Sequence, residues 1–363
     1  MTMDNHRPHL INRRTAIKIA VFGAVAAIAP FVLTRSRTAL KQIIVRDAGG
    51  IYSQIYKDIL YQPFTQKTGI QVISATSGYE PTTEIRTMVE TQSYLWDMAV
   101  ISQSTIMSLT NGKVYLERHE LEHDSVVSSI LPQFMSPYGV GTNVSTTVLA
   151  YRTDVFKGRR APQSWQDLWD VEHFPGRRSL RKHPFGTIEA ALMADHVPTN
   201  KVYPCDLERG FRSLNKIKPH VALWWTHGAQ VEQLLKSGEV SLIPTYISRA
   251  QAAIDAGAPV AITWEQHIYG CESWTILKGT PNADACRQFI LFASEPKQQA
   301  LLAQHAIGPT QPYELLKKLI DPERAKLLQT YPDNLKRGLY IDASYWLKNK
   351  ETVIERFNQW MIS

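Results

Sequence analysis

Gln42-Ile43-Ile44-Val45-Arg46 is a short apolar, β-branched run that ends in Asp47-Ala48-Gly49-Gly50, and a helix-like stretch from Ile51 to Thr68 follows it. A second strand pattern runs from Ile70 to Ala75. Strand, glycine turn, helix, strand is the βαβ signature of a parallel sheet. The pattern recurs, with helical period from Thr83 to Gln92 and a buried strand over Trp96-Asp97-Met98-Ala99-Val100-Ile101. Further on, Val231 to Lys236 reads as helix closed by Ser237-Gly238, Val240 to Pro244 as strand, Thr245 to Ala256 as helix and Pro259 to Trp264 as strand. Trp165 and Trp169, inside Pro162 to Asp170, are spaced for a packed surface helix.

Two segments read as crossings between lobes. Val140 to Tyr151 is β-rich and long for one strand, and the chain returns through an apolar, aromatic stretch from Ile268 to Leu277. A chain that leaves one lobe, builds a second and comes back is an α/β fold of two lobes joined by paired hinge segments. The boundaries fall at 41–143 with 275–330 for the first lobe and 144–274 with 331–363 for the second, each lobe a mixed sheet flanked by helices.

The first forty residues follow other rules. Asn12-Arg13-Arg14-Thr15-Ala16-Ile17-Lys18 precedes an apolar run from Ile19 to Leu33. Basic residues followed by a short apolar run read as an export signal, and the adjacent Arg13-Arg14 pair points to the twin-arginine route of a bacterium. The alternative is an uncleaved N-terminal membrane anchor, because Pro30 follows the small-x-small site Ala27-Ile28-Ala29. Either way the body of the protein works outside the cytoplasm, in the periplasm.

The formal charge of +7 changes little once this segment is set aside. Arg7, Arg13, Arg14, Lys18, Arg35 and Arg37 stand there against Asp4 alone, so the remainder is close to neutral and has no basic run for nucleic acid. Cys205, Cys271 and Cys286 are odd in number, which permits at most one disulfide and favours buried apolar roles for at least two. No feature argues for a stable oligomer, so the expectation is a monomer.

In open α/β sheets ligands bind beyond the carboxyl ends of strands. That rule points to Gly49-Gly50, to Ser102-Gln103-Ser104 and to the segment from Tyr246 to Arg249. Glycines there allow close backbone approach, and hydroxyl and amide side chains supply hydrogen bonds. The plain alternative for each is ordinary turn and helix-surface chemistry.

An ordered series of segments resembles the extracellular solute-binding proteins of ABC importers, and within them the spermidine/putrescine-binding group. The series begins with Arg46-Asp47-Ala48-Gly49-Gly50-Ile51-Tyr52, Phe64-Thr65-Gln66-Lys67-Thr68-Gly69-Ile70-Gln71-Val72 and Trp96-Asp97-Met98-Ala99-Val100. It continues through Tyr151-Arg152-Thr153-Asp154-Val155-Phe156, Ser164-Trp165-Gln166-Asp167-Leu168-Trp169-Asp170 and Phe174-Pro175-Gly176-Arg177-Arg178. Trp224-Trp225, Gly228-Ala229-Gln230 and Lys278-Gly279-Thr280-Pro281-Asn282 close it. The resemblance implies the two-lobed periplasmic-binding fold, a small-molecule solute held in an interlobe cleft, a membrane permease as partner, no cofactor or metal and no catalysis. It adds Asp47, Tyr52, Trp225 and Trp274 to the candidate contacts.

The resemblance also implies aromatic walls and carboxylates around an alkylammonium ligand. Glu272, within Tyr269-Gly270-Cys271-Glu272-Ser273-Trp274, lies where the group places an acidic ligand-holder, and Tyr246 where it has a tryptophan. Tyr246-Ile247-Ser248-Arg249 departs from the group's Trp-Asn-Gly pattern, and Glu189 has no firm match to its early acidic pair. A guanidinium at Arg249 would repel a polyamine and favour a carboxylate, so an amino acid, an opine-like conjugate or an organic anion competes with a polyamine-like solute.

Adjacent tryptophans on a strand face opposite ways, so one of Trp224 and Trp225 packs in the core while the other is free for the cleft. One motif belongs to another class. His119-Glu120-Leu121-Glu122-His123 matches the H-E-x-x-H pattern of zinc hydrolases, which requires a helix to bring both histidines to one face. A third ligand is lacking, and a polar surface segment is the competing reading. The sequence holds no nucleophile elbow, P-loop or C-x-x-C.

Overall fold

The first strand is apolar and becomes largely buried from Ile43 onward, as suits an inner strand, and it pairs with a neighbour on both edges of the first half-sheet. The computed structural model describes residues 41–77 and 81–363, which belong to one compact unit. Its described strands are β1 Gln42–Asp47, β2 Gln71–Thr76, β3 Met98–Ser102, β4 Leu116–Glu117, β5 Met135–Ser136 and β6 Gly139–Arg152, then β7 Arg178–Arg181, β8 Val221–Trp225, β9 Leu242–Tyr246, β10 Val260–Leu277 and β11 Leu339–Tyr340. They form one curled mixed sheet in the order β2-β1-β3-β10-β6-β9-β7-β8, with β4 and β11 paired to β10 and β5 to β6 off this path.

β1 and β2 are parallel, joined by continuous helix from Gly50 to Thr68 whose π-helical stretch, Lys57–Tyr61, lies between two α-helical ones. Gly69, at φ 75°, ends it in the left-handed conformation that glycine adopts without strain. β6 and β10 are the long elements. They run antiparallel to each other, pairing Val260 with Arg152 at one end and Trp274 with Val140 at the other. β3 joins β10 near the second end, and β9 joins β6 near the first. These two strands therefore carry the chain between two half-sheets.

Each half has its own core. Ile43, Phe64, Trp274 and Phe289 pack in one, while Trp165, Leu180, Ile188 and Phe357 pack in the other. Burying such side chains contributes about 1.5–3 kcal/mol each. The 20-residue helix Ala343–Ile362 lays Trp346, Val353 and Phe357 against the second core.

Several elements differ from the sequence reading. The expected strands Pro259 to Trp264 and Ile268 to Leu277 are, from Val260 on, one strand β10, whose register with β6 shifts between Thr263 and Ile268. There Gln266 takes φ 57°, and its carbonyl accepts a 2.8 Å hydrogen bond from Trp165 Nε1. Thr245 and Tyr246 end β9 instead of starting a helix, because they pair with Val148 and Thr147 of β6. The helix Trp165–Trp169 packs as expected through both tryptophans, whose indoles also donate to backbone carbonyls.

All three cysteines are free and buried. Among the described residues no helix is long and apolar enough to cross a membrane. The expected export signal or anchor in residues 1–40 lies outside the described residues.

Candidate functional site

The carboxyl ends of β1 and β3 in one half and of β7, β8 and β9 in the other supply the side chains of the site. Tyr52, on the helix after β1, reaches across to the helix Ile247–Asp255 that follows β9, and its hydroxyl donates to Ser248 Oγ at 3.4 Å. Burial pushes the Tyr52 phenol above its ordinary value; the Ser248 contact lowers it, the Glu272 charge raises it and the Arg249 charge opposes that rise. Tyr52, Tyr246, Ser248, Arg249 and Glu272 thus share one electrostatic neighbourhood built from both halves.

Glu272 stands on β10 opposite Asn143 of β6 and Ser102 of β3. It is half-buried, and Asn143 Nδ2 donates to its Oε2 at 3.2 Å. The same amide nitrogen donates to Tyr56 Oη at 3.0 Å. Burial raises the Glu272 carboxyl above the ordinary carboxylate value, while the Asn143 bond and the positive charge of Arg46 pull it back. A carboxylate so placed favours a cationic group beside it.

Arg249 comes from the opposing half. Its guanidinium lies 3.6 Å from Glu232 and is partly exposed. Gly228 makes room for it, since a Cβ there would sit 3.1 Å from Arg249 Nε. Tyr246 and Trp225 end their strands with rings 6.2 Å apart, and Arg181, the last residue of β7, holds its guanidinium 5.5 Å from each ring. Sequence reading missed Arg181, because a single arginine at the end of a four-residue strand carries no local signal.

The other expected contacts divide. Gly49 and Gly50 take φ 75° and 60°, so both need glycine, and they carry the chain from β1 to Tyr52. Asp47 was expected at the ligand, but it is buried and its carboxylate accepts from Gly49 N, Ser53 Oγ, Tyr61 Oη and Ser74 Oγ. Its role is to fix that turn. Trp274 is likewise a core residue, packed on Tyr56 and Phe289, because it lies about 7 Å further along β10 than Glu272. Trp225 is buried, its Nε1 bonded to Pro244 O, and it backs Tyr246 and Arg181, while Trp224 faces the opposite way onto Phe357 and Trp360.

Ser102 caps the helix Gln103–Thr110 through Thr105 N and also meets Ser104 Oγ at 3.0 Å. Gln103 donates to Gln133 O and lines a groove of 470 Å³ with Met107, Tyr203, Tyr340 and Asp342, which includes none of the Tyr52 group. Glu189 is fully buried and accepts from Gly186 N, Tyr203 Oη and Trp346 Nε1, which makes it a packing node.

The zinc-hydrolase alternative fails on geometry. His119 and Glu120 are not helical, and Glu120 takes φ 57°. His119 is buried with Nε2 bonded to Ser136 O and Nδ1 accepting from Leu121 N, so neither nitrogen faces a metal. Among the described residues no group of three histidine, cysteine or acidic side chains could hold one.

A two-halved sheet with crossing strands, and polar side chains of both halves meeting at the strand ends, is the arrangement of a solute-binding protein. A family model described as bacterial extracellular solute-binding protein matches residues 60–314, and the chain belongs to that family. It is the substrate-binding component of an ABC transporter, working with a membrane permease, and is not an enzyme. It is 32% identical to the gamma-aminobutyric acid (GABA)-binding protein of Pseudomonas aeruginosa, over 94% of this chain and 96% of the relative. A solved ABC transporter substrate-binding protein from Bradyrhizobium japonicum USDA 110 is 34% identical with TM-score 0.82, over 88% of this chain and 99% of that one. The PBP AgtB from A. tumefaciens R10, solved with agropinic acid, is 27% identical with TM-score 0.72, over 89% and 99%. None of these three is named for a polyamine; the similarity reaches the solute-binding family and stops short of the spermidine/putrescine group.

Proposed function

We propose that the cleft captures a small zwitterion of the amino acid kind, with its ammonium at Glu272 and a carboxylate at Arg249. The observation that carries this is the Tyr52–Ser248 contact between the halves, which brings the Glu272 carboxylate of a crossing strand and the Arg249 guanidinium of the second half into one neighbourhood. A diamine would satisfy Glu272 but meet repulsion at Arg249, whereas a zwitterion satisfies both. The GABA-binding relative supports the same chemistry.

In this reading the halves are lobes that close on the solute, residues 1–40 deliver the protein to the periplasm, and the chain works as a monomer. Polar groups of both lobes meet the ligand only in the closed state, so binding drives closure.

Isothermal titration of the mature protein with GABA, putrescine and spermidine tests the assignment. GABA is expected to bind, and Glu272→Gln and Arg249→Gln are each expected to weaken it by about 30-fold or more, the effect of leaving one buried charge unpaired. Tighter binding of putrescine or spermidine than of GABA would return the assignment to polyamines.

A further inference from the structure

β9, β7 and β8 are parallel neighbours, and their last residues, Tyr246, Arg181 and Trp225, stand side by side at the sheet edge that faces the site. Arg181 pairs in register with Trp225 across β7 and β8. Its half-buried guanidinium lies 5.5 Å from both rings, within cation–π range, which holds its plane while leaving its N–H groups for an acceptor. No acidic side chain pairs with it among the described residues. Lys350 acts together with Arg181 on the half-buried ring of His183, so a second positive charge lies on that side. Glu232 compensates Arg249 alone.

A fixed, uncompensated guanidinium on an aromatic wall is the arrangement that binds carboxylates. We propose that Arg181, Trp225 and Tyr246 form a second anion-holding subsite, so that the solute is an amine bearing two carboxylates, an amino dicarboxylate or an N-carboxyalkyl amino acid. This rests on the reading of the cleft as a zwitterion site and adds one acidic group to it. Arg181 is the residue that separates such solutes from a plain ω-amino acid.

Titrating the mature protein with GABA, L-glutamate and N-carboxymethyl-GABA tests this, because each of the last two adds one carboxylate to GABA. Wild type is expected to bind at least one diacid about tenfold or more tighter than GABA. Arg181→Gln is expected to collapse that ratio toward one, and Arg181→Lys to keep part of it. An unchanged ratio in Arg181→Gln, or wild type preferring GABA to both diacids, would overturn the second subsite and leave the zwitterion reading standing. An equal loss for all three with a lower melting temperature of the empty protein would make Arg181 a packing residue of the wall, also against the proposal. If wild type binds none of the three, or Glu272→Gln and Arg249→Gln weaken none, the zwitterion reading itself falls and takes the subsite with it.

Discussion

Glu272 shows how one residue can be arranged for binding at the expense of the empty fold. Asn143 donates one hydrogen bond to it and Arg46 attracts it, yet burial still dominates and raises its carboxyl. An acid raised on folding destabilises its ionised form. Its stabilising contribution is therefore fully present below the unfolded carboxylate value and is lost as pH rises through the folded one. Glu272→Gln should accordingly stabilise the empty protein at neutral pH by about 0.5–2 kcal/mol, the range of such substitutions at functional sites. Chemical denaturation from pH 7 to pH 4 is the check. The gain should shrink as pH falls through that window, and a gain independent of pH would mean that it arises from packing. Asn143→Ala should act in the opposite sense, because it leaves Tyr56 Oη and Glu272 without their shared donor, at about 1–3 kcal/mol by the same assay.

At the level of elements, the apolar runs were enough to locate β1, β3 and β9, since buried strands must be apolar wherever they lie, while the half-exposed edge strand β2 was marked by its β-branched residues after the helix-ending Gly69. The irregularity in β10 was not legible. Gln266 adopts positive φ without being glycine, held by the indole of Trp165 from 101 residues away, and no local pattern encodes that. The same irregular stretch leads into His267, whose Nε2 meets Asn334 O at 2.9 Å and whose buried imidazole is held down to about 4. Gly338 makes this packing possible, since a Cβ there would fall 2.5 Å from His267 Nε2 and 2.7 Å from Tyr269 Cδ1. Gly338→Ala should therefore destabilise the protein by about 1–3 kcal/mol, the range for overpacking a filled interior, as a lower urea midpoint at unchanged slope. His267, being lowered on folding, contributes stability above its unfolded value that is lost as pH falls toward 4.

Over the whole molecule, the ordered segments after residue 42 were sufficient for the fold and the solute-binding class, because spacing and order survive where individual side chains vary. Ligand identity was not legible to the same degree. It turns on which ends of which strands converge, and Arg181 meets Tyr246 and Trp225 only through the order β9-β7-β8. The convergence of both halves also decides what affinity consists of. The Tyr52–Ser248 contact is long at 3.4 Å and so contributes little to holding the halves together. If charge capture drives closure, Tyr52→Phe should weaken solute binding by less than about fivefold, the value of one modest hydrogen bond. Glu272→Gln should weaken it far more. Small-angle scattering with and without saturating solute should then show full compaction in Tyr52→Phe. A larger loss in Tyr52→Phe than in Glu272→Gln, with compaction abolished, would place the driving force in direct contact between the halves. The solute would then report closure instead of causing it.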